Sequence, residues 1–131
     1  LEGQMHVDEA SKFCENWLNS WTGNQPEILI TFYSDDAFYY DPTAKQGFKG
    51  HEAILPYFTK LLNNNPDWKW SAEEVIPTER GFVLKWKAVI PVRIKEIVEY
   101  GVDIVEVKNG KITRNEVYFD TYSLITMIKN K

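Results

Sequence analysis

One cysteine, Cys14, excludes an internal disulfide, and two distant histidines, His6 and His51, offer no metal-ligand spacing. No apolar run approaches the roughly 20 residues needed to span a bilayer. Lys and Arg number 15 against 19 acidic residues and are scattered, so there is no basic stripe to neutralise a phosphate backbone. A Gly-rich phosphate loop, a nucleophile elbow and a Cys/His pair are all missing. The expectation is a protein with no metal, no cofactor, no nucleic-acid partner and no membrane partner. The first residues, Leu1 to Asp8, lack the charged and apolar regions of a signal peptide. Residues 1–6 read as a disordered or appended start, and a reducing, cytoplasmic setting suits a lone thiol. Cys14 sits among Phe13, Trp17 and Leu18, which fits a small buried hydrophobe better than a reactive nucleophile.

Aromatic residues are abundant. They make up 15% of the 131 residues, with five Trp, seven Tyr and seven Phe. Large rings fill a core, and they also wall ligand pockets with rigid faces and occasional polar tips. The length suits one domain, taken as residues 7–131.

Apolar residues at Ala10, Phe13, Cys14, Trp17, Leu18 and Trp21 repeat every three or four positions, which predicts a helix from Val7 to about Thr22 with Gly23 as its stop. Asn24 and Pro26 open a short second helix, ended by Ser34-Asp35-Asp36. Ala37 to Tyr40 reads as a short strand running into Asp41-Pro42. The glycines and proline between Pro42 and Gly50 predict a loop. A third helix starts at His51 or Glu52, carries Ile54, Leu55, Phe58, Leu61 and Leu62 on one face, and stops at the Asn63–Pro66 run. Four β-rich runs follow: Trp68–Ile76, Phe82–Val92, Ile97–Val107 and Lys111–Tyr118. Asn109-Gly110 between the last two is a strong hairpin signal. The class is α+β: three N-terminal helices packed on a strongly curved antiparallel sheet, cone-shaped, enclosing an apolar pocket.

Alternation sorts the strand faces. Leu84, Trp86, Ala88 and Ile90 share the inner face, because Lys85 and Lys87 hold the other. Gly101, Asp103, Val105 and Val107 face together. On the last run Asn115, Val117 and Phe119 oppose Ile112, Arg114, Glu116, Tyr118 and Asp120, and the charges mark that second set as outer. Asp103 is then an aspartate in a strand interior with apolar company. Burying it costs several kcal/mol unless it is paired or protonated, and a raised pKa is what an acid catalyst needs. Asp41 has two readings, a turn starter before Pro42 or a rim carboxylate able to move a proton, with Tyr39 beside it by parity. Asp120 is a turn residue or, if the strand end twists, a pocket group. His51 reads as a capping or solvent-facing residue. Asn16, Trp17 and Tyr57 could bring polar tips to the pocket from the helices.

The run Phe32 to Pro42, then Gly47-Phe48-Lys49-Gly50-His51-Glu52-Ala53-Ile54, then Asn109-Gly110-Lys111-Ile112 leading to Val117-Tyr118-Phe119-Asp120, resembles the nuclear-transport-factor-2-like superfamily. Within it, the chain looks like the SnoaL-like polyketide-cyclase and ketosteroid-isomerase branch. The resemblance implies that Asp41 stands where a general base shuttles a proton, and Asp103 where a neutral carboxyl donates to an oxyanion. It places Asn115, Val117 and Phe119 on the pocket wall. The oxyanion tyrosine of the first helix has no counterpart, and Asn16 stands near its place. Limonene-epoxide-hydrolase-like enzymes need an Arg two residues before the Asp103 position, where this chain has Gly101.

Two functions follow as expectations. One is a cofactor-independent acid-base isomerase or cyclase on an apolar, carbonyl-bearing substrate, with Asp41 taking the proton and Asp103 donating to the oxyanion. Asn16, Trp17, Tyr39, Phe58, Trp86, Asn115, Val117, Phe119 and Asp120 would form its ligand site. The other is a non-catalytic ligand-binding or dimerisation domain, a homodimer through the outer sheet face using Val83, Val102 and Ile104.

Overall fold

The computed structural model describes residues 5–122; the termini of the expected 7–131 domain and 1–6 start that fall outside this range are not described. Helix α1 spans Val7–Asn19 and buries Ala10, Cys14, Trp17 and Leu18, the expected three- and four-residue stripe. It ends three residues before Thr22, and Gly23 lies beyond it at φ 89°. Before it, Met5 packs against the core and the His6 carbonyl accepts the Ala10 N–H.

Helix α2 is a single turn, Pro26–Leu29, followed by a 3₁₀ turn at Ile30–Phe32. Strand β1 begins directly at Tyr33 and runs to Asp41, so Ser34-Asp35-Asp36 is strand rather than helix end. Those polar residues are half-buried or exposed and lie where the β1–β6 register shifts, between the Tyr33–Ile112 and Phe38–Arg114 pairs.

The expected loop from Pro42 to Gly50 is largely strand β2, Ala44–Lys49, antiparallel to β1. Gly47 there does not break the chain. It lies at φ 72°, and a Cβ on it would sit 2.5 Å from the Phe38 ring, so glycine is what lets the two strands approach. Helix α3, His51–Asn64, carries Ile54, Phe58 and Leu62 inward and runs through Pro56.

Strands β3 (Lys69–Pro77), β4 (Gly81–Val92), β5 (Lys95–Lys108) and β6 (Lys111–Phe119) complete one six-stranded sheet in the order β2-β1-β6-β5-β4-β3. The sheet is mixed and not wholly antiparallel as expected, because β1 lies parallel to β6, pairing Tyr39 with Asn115. Asn109 and Gly110 both take positive φ, 54° and 76°, as a two-residue hairpin turn requires. The β4–β5 turn is Arg93-Ile94, with Arg93 at φ 58°.

Parity holds on β4 and β5, where Leu84, Trp86, Ala88, Ile90, Asp103 and Val105 are buried. It fails at Ile112, which is fully buried rather than outer. The register shifts between Glu106 and Val107, so Thr113 is an extra residue in β6 and Ile112 turns inward. No helix among the described residues is long and apolar enough to cross a membrane.

Candidate functional site

Between α1, α3 and the inner face of the sheet lies a cavity of about 120 Å³. All five tryptophans of the chain line it. Trp17 and Trp21 arrive one helical turn apart from α1 and the turn after it. Trp68 and Trp70 arrive two residues apart at the start of β3, and Trp86 from β4. Helical and strand periodicity thus put each pair on one face. Trp21 and Trp70 stand 5.9 Å apart between ring centres, as do Trp68 and Trp70.

Asp103 opens onto this cavity and is 4% exposed. Trp86 Nε1 donates to its Oδ1 at 2.7 Å, and Asn115 Nδ2 donates to its Oδ2 at 2.9 Å. The direction of this network is fixed. An indole N–H only donates, so Trp17 Nε1 gives its proton to the Tyr33 hydroxyl at 3.2 Å. Tyr33 has one proton and gives it to Asn115 Oδ1 at 2.8 Å, which turns the amide NH₂ toward Asp103. The chain Trp17, Tyr33, Asn115 therefore ends on Asp103 as acceptor. Burial pushes the Asp103 carboxyl up to about 7, with the nearby Asp41 adding to the rise, against the lowering by its two donors. Two donors occupy two of roughly four lone-pair sites on a carboxylate. Asp103 keeps acceptor capacity for a proton or a ligand.

Asp41, at the end of β1, also lines the cavity and is 5% exposed. Its situation is the opposite one. Oδ1 accepts the backbone N–H and the hydroxyl of Thr43, each at 2.8 Å. Oδ2 accepts the hydroxyls of Tyr39 at 2.8 Å and Tyr57 at 2.6 Å. The first contact is an Asx-turn, so the turn-forming reading of Asp41 describes the geometry even though the side chain faces the cavity. Four donors match the acceptor sites of one carboxylate. Tyr57 Oη also lies 3.0 Å from Thr43 Oγ1, and burial together with Asp41 raises the Tyr57 and Tyr39 hydroxyls well above their ordinary value, so both remain donors.

Of the other expected ligand residues, Trp17, Tyr39, Trp86, Val117 and Phe119 line the cavity. Asn115 is fully buried behind Asp103 and acts on it rather than on the space. Phe58 is fully buried, with its ring 5.0 Å from those of Trp21 and Tyr39, so it backs the wall without lining it. Asn16 is exposed, because α1 turns Trp17 inward and its neighbour outward. Asp120 is exposed and accepts the Tyr122 N–H, the turn role of its two readings. His51 holds the Tyr33 carbonyl at 2.8 Å, away from the cavity.

Sequence reasoning passed over Thr43, Glu99 and the Trp21, Trp68 and Trp70 rings, all of which line the cavity. Glu99 shares the parity of Gly101 and Asp103, so alternation carried that signal. Burial and Asp120 push its carboxyl up. Among the described residues no Lys, Arg or His lines the cavity, and no group of three His, Cys, Asp or Glu is placed to hold a metal ion.

No curated protein matches the chain. Solved structures share its fold. A ketosteroid-isomerase-like protein from Catenulispora acidiphila, in complex with trimethylamine, superposes with a TM-score of 0.78 at 14% identity, covering 88% of this chain and 91% of that one. A candidate SnoaL-like polyketide cyclase from Shewanella putrefaciens gives 0.77 at 15%, covering 93% and 86%. TerC co-crystallised with polyporic acid gives 0.77 at 16%, covering 92% and 98%. At these identities the likeness establishes the α+β nuclear-transport-factor-2-like fold. The family model of the SnoaL-like domain matches residues 14–115, most of the chain and every element from α1 into β6, and the protein belongs to that family.

Proposed function

We propose that the cavity holds a small apolar carbonyl compound and that Asp103 moves a proton on it, as a cofactor-independent isomerase or cyclase. The observation that carries this reading is Asp103 itself: a buried carboxyl raised to about 7, facing a tryptophan-lined space with acceptor capacity free. A base poised near neutral pH is matched to proton transfer beside a carbonyl. The carboxylate takes a proton from the carbon next to the carbonyl and leaves an enolate. The protonated Asp103 then returns that proton to a second carbon, so nothing is oxidised or reduced. The Tyr57 and Thr43 hydroxyls each commit their one proton to Asp41, so they make a fixed polar end of the cavity and not an oxyanion hole. This assigns the mobile proton to Asp103 and makes Asp41 the anchor of those hydroxyls, the reverse of the roles suggested by resemblance.

Cavity size narrows the substrate. An apolar cavity of about 150 Å³ admits benzene, so a one-ring compound suits this one better than a four-ring skeleton. The small molecules carried by the Catenulispora and TerC relatives support a small-molecule occupant. The lone buried Cys14, pushed up to about 12 by burial, suits a reducing, cytoplasmic compartment. The outer sheet face carries Val98, Tyr100, Val102 and Tyr118 exposed, and we assign it to pairing with a second copy.

Cyclohex-3-enone tests the chemistry. Its conversion to the conjugated ketone, read by absorbance, should slow by about 10²–10⁴-fold in Asp103→Asn. Conversion at an unchanged rate in that variant would sink the proposal. The second reading, a non-catalytic binding domain, is favoured by the saturated acceptors of Asp41. It wins if wild type binds the ketone without converting it.

A further inference from the structure

The charge and ring content of the cavity point to a narrower ligand class than its size does. Its wall combines five indoles and the Tyr39 and Tyr57 rings with three carboxyl groups, Asp41, Glu99 and Asp103. No cationic side chain balances them among the described residues. An anionic ligand would meet repulsion from each carboxylate and find no ion-pair partner. A neutral alkane would fill the space and leave the electrostatics unused.

Indole faces carry the strongest π attraction for cations among the aromatic side chains, and ammonium groups with alkyl substituents are recognised by aromatic cages. The rings here are clustered. Trp70 lies 5.9 Å from both Trp21 and Trp68, and Tyr39 lies 5.8 Å from Tyr57 and 6.3 Å from Trp21. The carboxyl groups are distributed around this cluster. Asp41 and Asp103 lie deep, and Glu99 is half-buried on the same face of β5 as Asp103. Burial raises the Glu99 carboxyl, and the nearby Asp120 adds to the rise.

We infer that the occupant of this cavity carries an alkylated ammonium group, held by the tryptophan rings and facing the Asp103 and Glu99 carboxyls. The inference rests on the cavity being the ligand site, as in the proposed function, and replaces the wholly apolar substrate given there by a small amino-carbonyl compound. It does not depend on the proton-transfer step.

A matched pair of probes tests it on the wild-type protein. Choline and its carbon analogue 3,3-dimethylbutan-1-ol have the same shape, and only choline is charged. Titrations followed by tryptophan fluorescence and calorimetry should show choline binding about tenfold or more tighter. The anion 3,3-dimethylbutanoate should bind more weakly than either. Trp70→Leu and Trp68→Leu, at half-buried positions at the start of the edge strand β3, should each reduce that preference for choline severalfold. Equal binding of choline and its neutral analogue overturns the inference, as does tighter binding of the anion or no binding of any probe. If the cation preference fails while cyclohex-3-enone is still converted through Asp103, only this inference falls. If choline is preferred and the ketone is untouched, only the acid-base reading falls.

Discussion

Trp86 lies across Gly101, its cross-strand partner, and hands its indole N–H to Asp103 two residues further along β5. A Cβ on Gly101 would fall 2.1 Å from Cζ2 of that indole. The glycine therefore makes room for the ring that binds the carboxylate.

Gly101→Ala should displace Trp86 and break its bond to Asp103. Overpacking costs about 1–3 kcal/mol and a lost bond to a charged group about 1.5–3 kcal/mol. Urea unfolding should show a loss of roughly 2.5–6 kcal/mol, with a changed tryptophan emission spectrum. A fully stable Gly101→Ala protein with unaltered emission would contradict this packing.

Asp103 should make the fold less stable as pH rises. Its carboxyl titrates near 7 folded, against an ordinary 3.8. Between those values the folded state binds the extra proton, so the stabilising contribution is full below about pH 4 and lost as pH rises through 7. Between pH 5 and pH 8 the loss from this group is roughly 3 kcal/mol. Asp103→Asn should remove that slope whatever it does to absolute stability, because Asn cannot titrate. Parallel pH slopes in urea unfolding of the two proteins would refute the assignment.

The donor chain behind Asp103 gives a third test. Tyr33→Phe removes the proton that orients Asn115 and leaves its carbonyl oxygen unpaired in a fully buried site. The expected cost is about 1–3 kcal/mol. Asn115 is then free to flip, so the Asp103 titration, followed by carboxyl carbon NMR, should move upward as a donor is lost. An unmoved titration would separate Tyr33 from Asp103.

At Asp41, Tyr57→Phe removes one of four donors and should cost about 1–2 kcal/mol, since Tyr39 still holds the same oxygen. The double variant Tyr39→Phe with Tyr57→Phe leaves Oδ2 without either hydroxyl and should cost more than the two single changes combined. Thermal melting of all three proteins reads that coupling, and simple additivity would argue against a shared carboxylate.

Self-association is tested on the outer face. Tyr118→Lys with Val102→Lys puts charge on exposed β5 and β6 positions without entering the core. Sedimentation should show a dimer becoming a monomer with the cavity chemistry unaltered. A monomeric wild type would reject the pairing.

Much of this architecture was written locally. The buried stripe of α1, the inward row from Leu84 to Ile90 and the Asn109-Gly110 turn follow from helix and strand periods and from left-handed φ, which neighbouring residues set. Asp103 was legible for the same reason, as a charge on a face that alternation makes apolar. The parallel pairing of β1 with β6 and the strand at Ala44–Lys49 were not legible, because a strand edge far away in sequence decides them. Ile112 turns inward only because β6 carries an extra residue against β5. The four donors on Asp41 come from β1, the turn after it and α3, and the five tryptophans come from α1 and the turn after it, from the start of β3 and from β4. Sequence assigns most residues a face; which faces then meet around one cavity depends on strand register and helix packing, and that convergence sets the surroundings of Asp103.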